Sequence, residues 1–372
     1  MSVIIEKGKT TNGKKYKNKP AILITGYEIG GQMQLLAETM RYKGYNAISV
    51  AFNKDFRDFK NDLMLQEKGL KGEFIRFKFF LRALHKYDIF HFFWGISLWS
   101  FWRFHLLDLP VLKLLRKKIV VHFRGRDIIN PSYFEYLTNV ALGQEKKAVE
   151  LSNPSQLKRI KKWNKYADQI LVSTPNLLQV VPNAIISPQV IDLKYWNTQI
   201  RSLSSKKKII RILHAPSLRI TKGTQIIVDT VDKIKRKGYQ IELVLVENIS
   251  YDRTKEVYET CDIGIDQLLI GWYGKFSVEI MALSKPVICY IDPEYRKYNP
   301  DLPIVTADKD TLEQVLEGLI NDGIARKRIG ERSREYVAKY HDVEKIVDQL
   351  FEIYGLTEQS PGEYLFEDAQ TW

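Results

Sequence analysis

Short apolar runs alternate with glycine-containing loops and helix-period stretches from one end of this chain to the other. That alternation restricts the fold more than any other feature. Ala21–Thr25 reads as a strand, Gly26 to Gly31 as a loop with two adjacent glycines, and Met33, Leu36, Ala37 and Met40 recur at helical spacing until Gly44. Asn46–Phe52 reads as the next strand. Strand, loop, helix, strand is a βαβ unit, which demands a parallel sheet. The second half repeats the pattern, with strands at Ile209–His214, Ile241–Val246 and Ile263–Ile265 and helices through Ile227, Val231 and Ile234 and across Asp252–Thr260. At 372 residues, 45% of them hydrophobic, the chain has material for two α/β domains. The polar, lysine-rich run Arg201–Lys208 reads as the linker between them, and residues 1–19 as a polar lead-in.

Chemistry concentrates in Gly271–Ile288. Two glycines, Gly271 and Gly274, loosen a loop after the apolar run Ile263–Ile270; Ser277 reads as the N-cap of a short helix, which Lys285-Pro286 ends. A glycine loop feeding a helix N-terminus presents free N–H groups and a positive dipole end, which suits phosphate. Glu279 falls in the first helical turn, where an ionised carboxylate accepts hydrogen bonds from a diol such as a ribose. The plainer alternative is a turn with Glu279 capping its own helix. A second loop, His214–Gly223, follows a strand and carries Ser217, Arg219 and Lys222. A fixed cation there, at the carboxyl edge of a sheet, stabilises the charge on a departing phosphate. Solvated loop charge is the alternative for both cations. His214 reads as a satisfied structural residue rather than a ligand.

Gly271-Trp272-Tyr273-Gly274 with Val278-Glu279-Ile280-Met281-Ala282-Leu283-Ser284-Lys285-Pro286 resembles the donor segment of GT-B glycosyltransferases, nearest to glycosyltransferase family 4. His214-Ala215-Pro216-Ser217 with Lys222-Gly223-Thr224 is similar to that family's phosphate loop, and weaker matches extend the resemblance over most of the chain. The resemblance implies two Rossmann-like domains facing a cleft: residues 1–190 for the acceptor and 191–342 for the nucleotide-sugar, with the terminal helix from 343 packing back on the first domain. It implies a UDP- or GDP-type sugar donor as co-substrate, retention of configuration, and no cofactor or metal. Donor contacts would come from Ser217, Tyr273, Gly274, Lys275, Phe276, Ser277 and Glu279, and catalytic cations from Arg124, Lys222 and Arg219. Gly30, Gly31, His91, His122 and Asp127 would line the acceptor side of the cleft. Two departures from the pattern stand out. Gly271 occupies the place of the family's first paired glutamate, and Arg124, in His122-Phe123-Arg124-Gly125-Arg126-Asp127, occupies that of its usual histidine. Arg124 either holds a phosphate or an acidic acceptor, or pairs with Asp127 and braces the loop.

The formal net charge of +13 favours anionic partners without choosing among them. Leu98–Leu115, rich in Trp, Phe and Leu and followed by Arg116-Lys117-Lys118, reads either as a core helix or as a membrane-surface patch. The most apolar window, Ile89–Trp102, is too short to span a bilayer, and the charged N-terminus lacks the apolar core of a signal peptide. Cys261 and Cys289 suggest no disulfide framework. The expectation is a cytoplasmic transferase, with peripheral contact at the inner membrane face, acting on a glycan or lipid-linked acceptor. The alternatives are a silent GT-B partner that stabilises an active transferase and a transferase that modifies nucleic acid, although no nucleic-acid motif is present.

Overall fold

The computed structural model describes all residues except 1–18, 54–58, 67–68, 100–104, 142, 145–146, 198–208, 248 and 357–372. The lead-in up to residue 18, the Arg201–Lys208 linker and residues 357–372 therefore lie outside the described residues, as does the middle of Leu98–Leu115.

Two parallel sheets carry the chain. The first has the order β3-β2-β1-β4-β5-β6-β7, with β1 Ile22–Gly26, β2 Ala47–Ala51, β3 Leu63–Met64, β4 Ile89–Phe93, β5 Lys118–Phe123, β6 Gln169–Val172 and β7 Ile185–Ile186. Its helices are α1 Gln32–Tyr42, α2 Gly69–Lys86, α3 Asp108–Leu114, α4 Pro131–Ala141 and α5 Pro154–Tyr166. The second sheet has the order β12-β11-β10-β8-β9, with β8 Ile210–His214, β9 Ile241–Leu245, β10 Ile263–Ile265, β11 Val287–Cys289 and β12 Val305–Thr306. Around it lie α6 Arg219–Lys222, α7 Thr224–Arg236, α8 Tyr251–Glu259, α9 Lys275–Ala282, α10 Pro293–Arg296, α11 Leu312–Asn321 and α12 Gly323–Tyr340. The last helix, α13, spans Val343–Tyr354. This is the α/β architecture that the alternation predicts.

Helices on both faces explain why the central strands read as continuous apolar runs: every residue of β1 and β4 is buried. In each sheet the strand order reverses beside the first strand, between β1 and β4 and between β8 and β10. Such a reversal opens a crevice at the carboxyl ends of the strands, where α/β proteins bind ligands.

The chain passes between the sheets at 190–191 and returns at 341–343. The two crossings lie side by side, with Ile191 N–H donating to His341 O at 2.9 Å and Val343 N–H to Ile191 O at 3.1 Å. After the return, α13 packs beside α1 on the first sheet: Val343, Ile346, Val347, Leu350 and Phe351 share one core with Met33, Leu36 and Met40. Of the aromatic stretch, Leu98, Leu106, Leu109 and Leu112 are buried in the other core of that sheet and Trp99 packs on Phe77, so its described part is core. Among the described residues no helix is long and apolar enough to cross a membrane.

Candidate functional site

On the second sheet the loops after β8 and β10 meet at one carboxylate. Asp266, fully buried at the end of β10, accepts from Lys222 Nζ at 2.5 Å through Oδ1, and from Gly274 N–H at 2.8 Å and Ser277 Oγ at 2.6 Å through Oδ2. Burial alone would raise its pKa, but Lys222 and the two hydrogen bonds reverse that, and the group lies below the ordinary carboxylate range. Ser277 is thus not an N-cap. Its hydroxyl donates to Asp266, α9 begins two residues earlier behind Gly274, and Glu279 moves from the first turn to the second. A Cβ on Gly274 would lie 3.4 Å from both Asp266 Oδ2 and Lys222 Nζ, so the loop glycine and the loop lysine converge. His214 is the structural residue anticipated: Nδ1 meets Ile265 O at 2.7 Å and Nε2 meets Thr224 Oγ1 at 2.9 Å, while burial pulls its pKa down to about 4.

The side chains of several expected contact residues have other partners here. Tyr273 and Phe276 turn their side chains into the core, Tyr273 meeting Tyr336 Oη at 2.9 Å and His341 Nε2 at 3.0 Å, and Phe276 standing edge-on to Tyr258. Glu279 is closed off from solvent, 3.8 Å from Lys275 Nζ. Arg219 pairs with Glu247 at the end of β9 and takes no part in the Asp266 cluster; Ser217 is exposed on the same loop. Gly271 has a concrete cause. Its φ is 85°, and a Cβ would meet Asp292 at 3.1 Å and the Tyr295 ring at 3.4 Å, so a glutamate has no place there.

The first sheet supplies the facing wall. Gly30 and Gly31 have φ of 68° and 73°, and Gly31 precedes α1. The anion position at this helix start is filled from within: the buried Glu28 carboxylate accepts N–H groups of Ile29 (2.8 Å), Gln32 (2.7 Å), Met33 (3.1 Å) and Gln34 (3.4 Å). Burial raises the pKa of Glu28, with Lys275 and these bonds opposing. Lys275, first residue of α9, crosses the cleft and donates to Gly30 O. Gln32 grips the backbone of Val190 in both directions, at 2.7 and 3.0 Å, and so fixes the start of α1 to the crossing between sheets.

Arg124, after β5, reaches toward the same point. Its Nη1 lies 3.2 Å from His122 Nε2, its Nη2 lies 3.5 Å from Gln32 Oε1, and the guanidinium sits 5.5 Å from the Phe93 ring centre. Burial lowers its pKa to about 10, against Asp127 and Glu28, so it stays charged at neutral pH. Asp127 accepts the backbone N–H groups of Arg124 (3.0 Å) and Gly125 (2.7 Å), bracing the turn rather than the guanidinium, and burial pushes its pKa up to about 6. His91 and His122, expected in the cleft, are buried on the sheet. His91 Nδ1 meets Tyr354 Oη at 2.6 Å and His122 Nε2 meets Ser187 O at 3.0 Å. Burial, reinforced by Arg124, lowers the His91 pKa to about 3 and that of His122 well below its usual value. A cavity of about 450 Å³ opens between the two halves, bounded by Gly30, Gly31, Glu38, Asp192, Tyr251 and Lys275.

No family model and no curated protein matches the sequence. Solved structures do match in fold. Sucrose-phosphate synthase from Thermosynechococcus elongatus is 15% identical, with 91% of this chain and 98% of that one covered at a TM-score of 0.56. The catalytic domain of starch synthase IV from Arabidopsis thaliana, bound to ADP and acarbose, is 12% identical over 91% of this chain and 99% of that one, at 0.58. A UDP-N-acetylglucosamine 2-epimerase is 14% identical over 93% and 99%, at 0.54, so one fold serves more than one reaction. Two parallel sheets joined by paired crossings, with the last helix returned to the first sheet, give this chain the GT-B fold of these solved structures.

Proposed function

We propose that the chain is a glycosyltransferase that moves a sugar from a UDP- or GDP-type nucleotide sugar to a glycan or lipid-linked acceptor, with retention and without a resident metal. The observation that carries this reading is the convergence of Lys222, Gly274 and Ser277 on Asp266, opposite Arg124 and the Gly30-Gly31 loop. Lys222 is 13% exposed and held at the carboxyl edge of the sheet, where it steadies a leaving diphosphate. Arg124 supplies the second cation from the facing wall. Glu279 reads the ribose once Lys275 swings off Gly30 and opens the way to it.

A second reading, a silent GT-B partner that stabilises an active transferase, is favoured by one observation. The anion position at α1 is taken by Glu28, and Asp266 holds Lys222 and the Gly274 N–H. Calorimetric titration with UDP, GDP and ADP, on wild type and Lys222→Ala, decides between them. Binding of one diphosphate in the micromolar range, weakened about tenfold or more by Lys222→Ala, is the expected result for a charge-assisted phosphate contact. No heat with any of the three would abandon the transferase in favour of the partner reading.

A further inference from the structure

Tyrosines from both halves of the molecule gather at one rim of the cleft. Helix α4 follows the turn that holds Arg124 and lies against α6 of the facing half. Its Tyr133 and Tyr136, one helical turn apart, have ring centres 6.0 Å from each other. From the second half, Tyr290 follows β11 and Tyr295 belongs to α10. The Tyr295 hydroxyl accepts from Gln179 Nε2 at 2.9 Å, a bond that ties α10 to the turn Pro175–Gln179 of the first half. Asp292 precedes α10. Its N–H donates to Gly271 O at 2.9 Å, and its Oδ1 accepts the Glu294 N–H at 2.8 Å. All four tyrosines and Asp292 are half-buried, neither packed into a core nor fully in water. Burial, then Asp292, Tyr133 and Glu294, push the Tyr295 pKa up to about 12. Burial with Tyr136 and Asp292 raises that of Tyr133, and burial with Asp292 and Asp308 raises that of Tyr290. Asp292 thus acts on phenols of both halves, and Glu294 is itself paired with Lys297 at 3.7 Å. In a chain of net charge +13, the charged groups that act on these phenols are carboxylates.

We propose that this rim binds a neutral saccharide, with a pyranose ring lying on the tyrosine faces of α4 and α10 and its hydroxyls meeting Asp292 and Gln179. The C–H face of a sugar ring is apolar and its margin is a row of hydroxyls. It needs what these residues offer together, a flat amphipathic surface with acceptors and donors at the edge. Acidic surroundings disfavour phosphate and carboxylate, so an anionic ligand is drawn elsewhere in this cationic molecule and an uncharged ring is the occupant that remains. The loops beside the rim carry the cleft's cations. Gly271, beside Asp292, leads to Gly274, beside Lys222, and the turn before α4 carries Arg124. A ring held on the tyrosines therefore stands next to the place proposed for the nucleotide diphosphate. Assigning that ring to the acceptor rests on the transferase reading; the binding of the saccharide does not.

The test is saturation-transfer NMR of the full chain with maltotriose, cellotriose and chitotriose as neutral probes and trigalacturonate as the anionic one. The variants are Tyr133→Ala/Tyr136→Ala, Asp292→Asn, Tyr295→Ala and Tyr295→Phe, each checked by circular dichroism; asparagine retains the cap on α10. Wild type is expected to transfer saturation to the ring protons of at least one neutral trisaccharide, and to bind it more tightly than trigalacturonate. The paired alanine variant, Asp292→Asn and Tyr295→Ala are each expected to bind about tenfold more weakly or worse. Tyr295→Phe keeps the ring and gives up the bond to Gln179, so it is expected to retain binding. No transfer to any neutral probe, equal or tighter binding of trigalacturonate, or binding that survives the paired alanine variant overturns the proposal. So does a Tyr295→Phe variant as weak as Tyr295→Ala, because the loss would then follow the bridge between the halves and not the ring. Nucleotide titration of wild type separates the two claims. Saccharide binding without nucleotide binding removes the transferase reading and leaves the tyrosine rim standing, and the reverse result removes the rim alone.

Discussion

A single carboxylate, Asp266, holds together the loop after β8, the loop after β10 and the start of α9. Buried charge is tolerated only when paired and hydrogen-bonded, and removing one partner of such a pair costs far more than the pair contributes. Asp266→Asn keeps the shape but removes the charge facing Lys222. It is expected to lower unfolding stability in urea at pH 7 by about 3 kcal/mol. Arg219→Ala, which breaks an exposed pair with Glu247, is expected to leave the midpoint almost unmoved, since solvent screens that pair. Equal effects would mean that the Asp266 cluster is not the point of tension. The sequence displayed Lys222 and Gly274 readily, because a lysine before Gly-Thr and a glycine before a helix are local patterns. Asp266 was not visible, since one acid inside Ile263–Ile270 looks like the polar end of a strand. Ser277 is ambiguous for the complementary reason: its place near a helix start suits an N-cap, and only the fold shows that its hydroxyl donates instead. Glu28 leaves no local signal, because the helix it caps begins four residues on, past two glycines.

At the level of elements, α13 illustrates what periodicity can and cannot deliver. Its apolar spacing predicts a helix over Val343–Tyr354, and the structure has it there. Its destination came from the family resemblance alone, because an amphipathic stripe says that a face is buried and not against what. The two-residue strands β3 and β7 and the four-residue helix α6 are too short to leave any period in the sequence. Packed beside α1, α13 completes one core of the first sheet, and Tyr354 anchors it to β4 through His91. Leu350, 1% exposed in that core, is expected to cost about 3 kcal/mol when cut to alanine. A chain ended at Tyr340 would leave seven buried residues of α13 missing at about 2 kcal/mol each, more than a domain's usual net stability. That truncated chain should lack a cooperative thermal transition. A sharp transition near the full chain's Tm would show that the first sheet stands without its returning helix.

The whole molecule carries its charge unevenly between surface and interior, and acid should expose this. The surplus of +13 is met by a core holding neutral histidines: burial pulls His91 to about 3, His214 and His341 to about 4, and His122 well down. In the unfolded chain each returns to about 6.5. As pH falls below that value the unfolded state takes up protons that the folded state refuses, so stability drops through the window from about 6.5 toward the folded values. Buried acids act the other way, among them Glu28, whose pKa burial raises. Asp108 and Asp127, pushed up to about 6 by burial, bind protons in the folded state first and stabilise it as pH falls from above 6 toward the ordinary aspartate range. At pH 5 each of His91, His214 and His341 costs about 2 kcal/mol, His122 adds a cost of the same sign, and each of these aspartates returns about 1.4 kcal/mol. The histidines outweigh the two aspartates, and the growing positive charge adds repulsion in the same direction. The urea midpoint is therefore expected to fall steadily from pH 7.5 to pH 5, within the range where the ordinary carboxylates remain ionised. His341→Gln, which retains a donor toward Gln189 O and an acceptor toward Tyr273 without titrating, should flatten that slope. A midpoint that holds level or rises toward pH 5 would mean that the buried aspartates, and not the histidines, set the acid response of the fold.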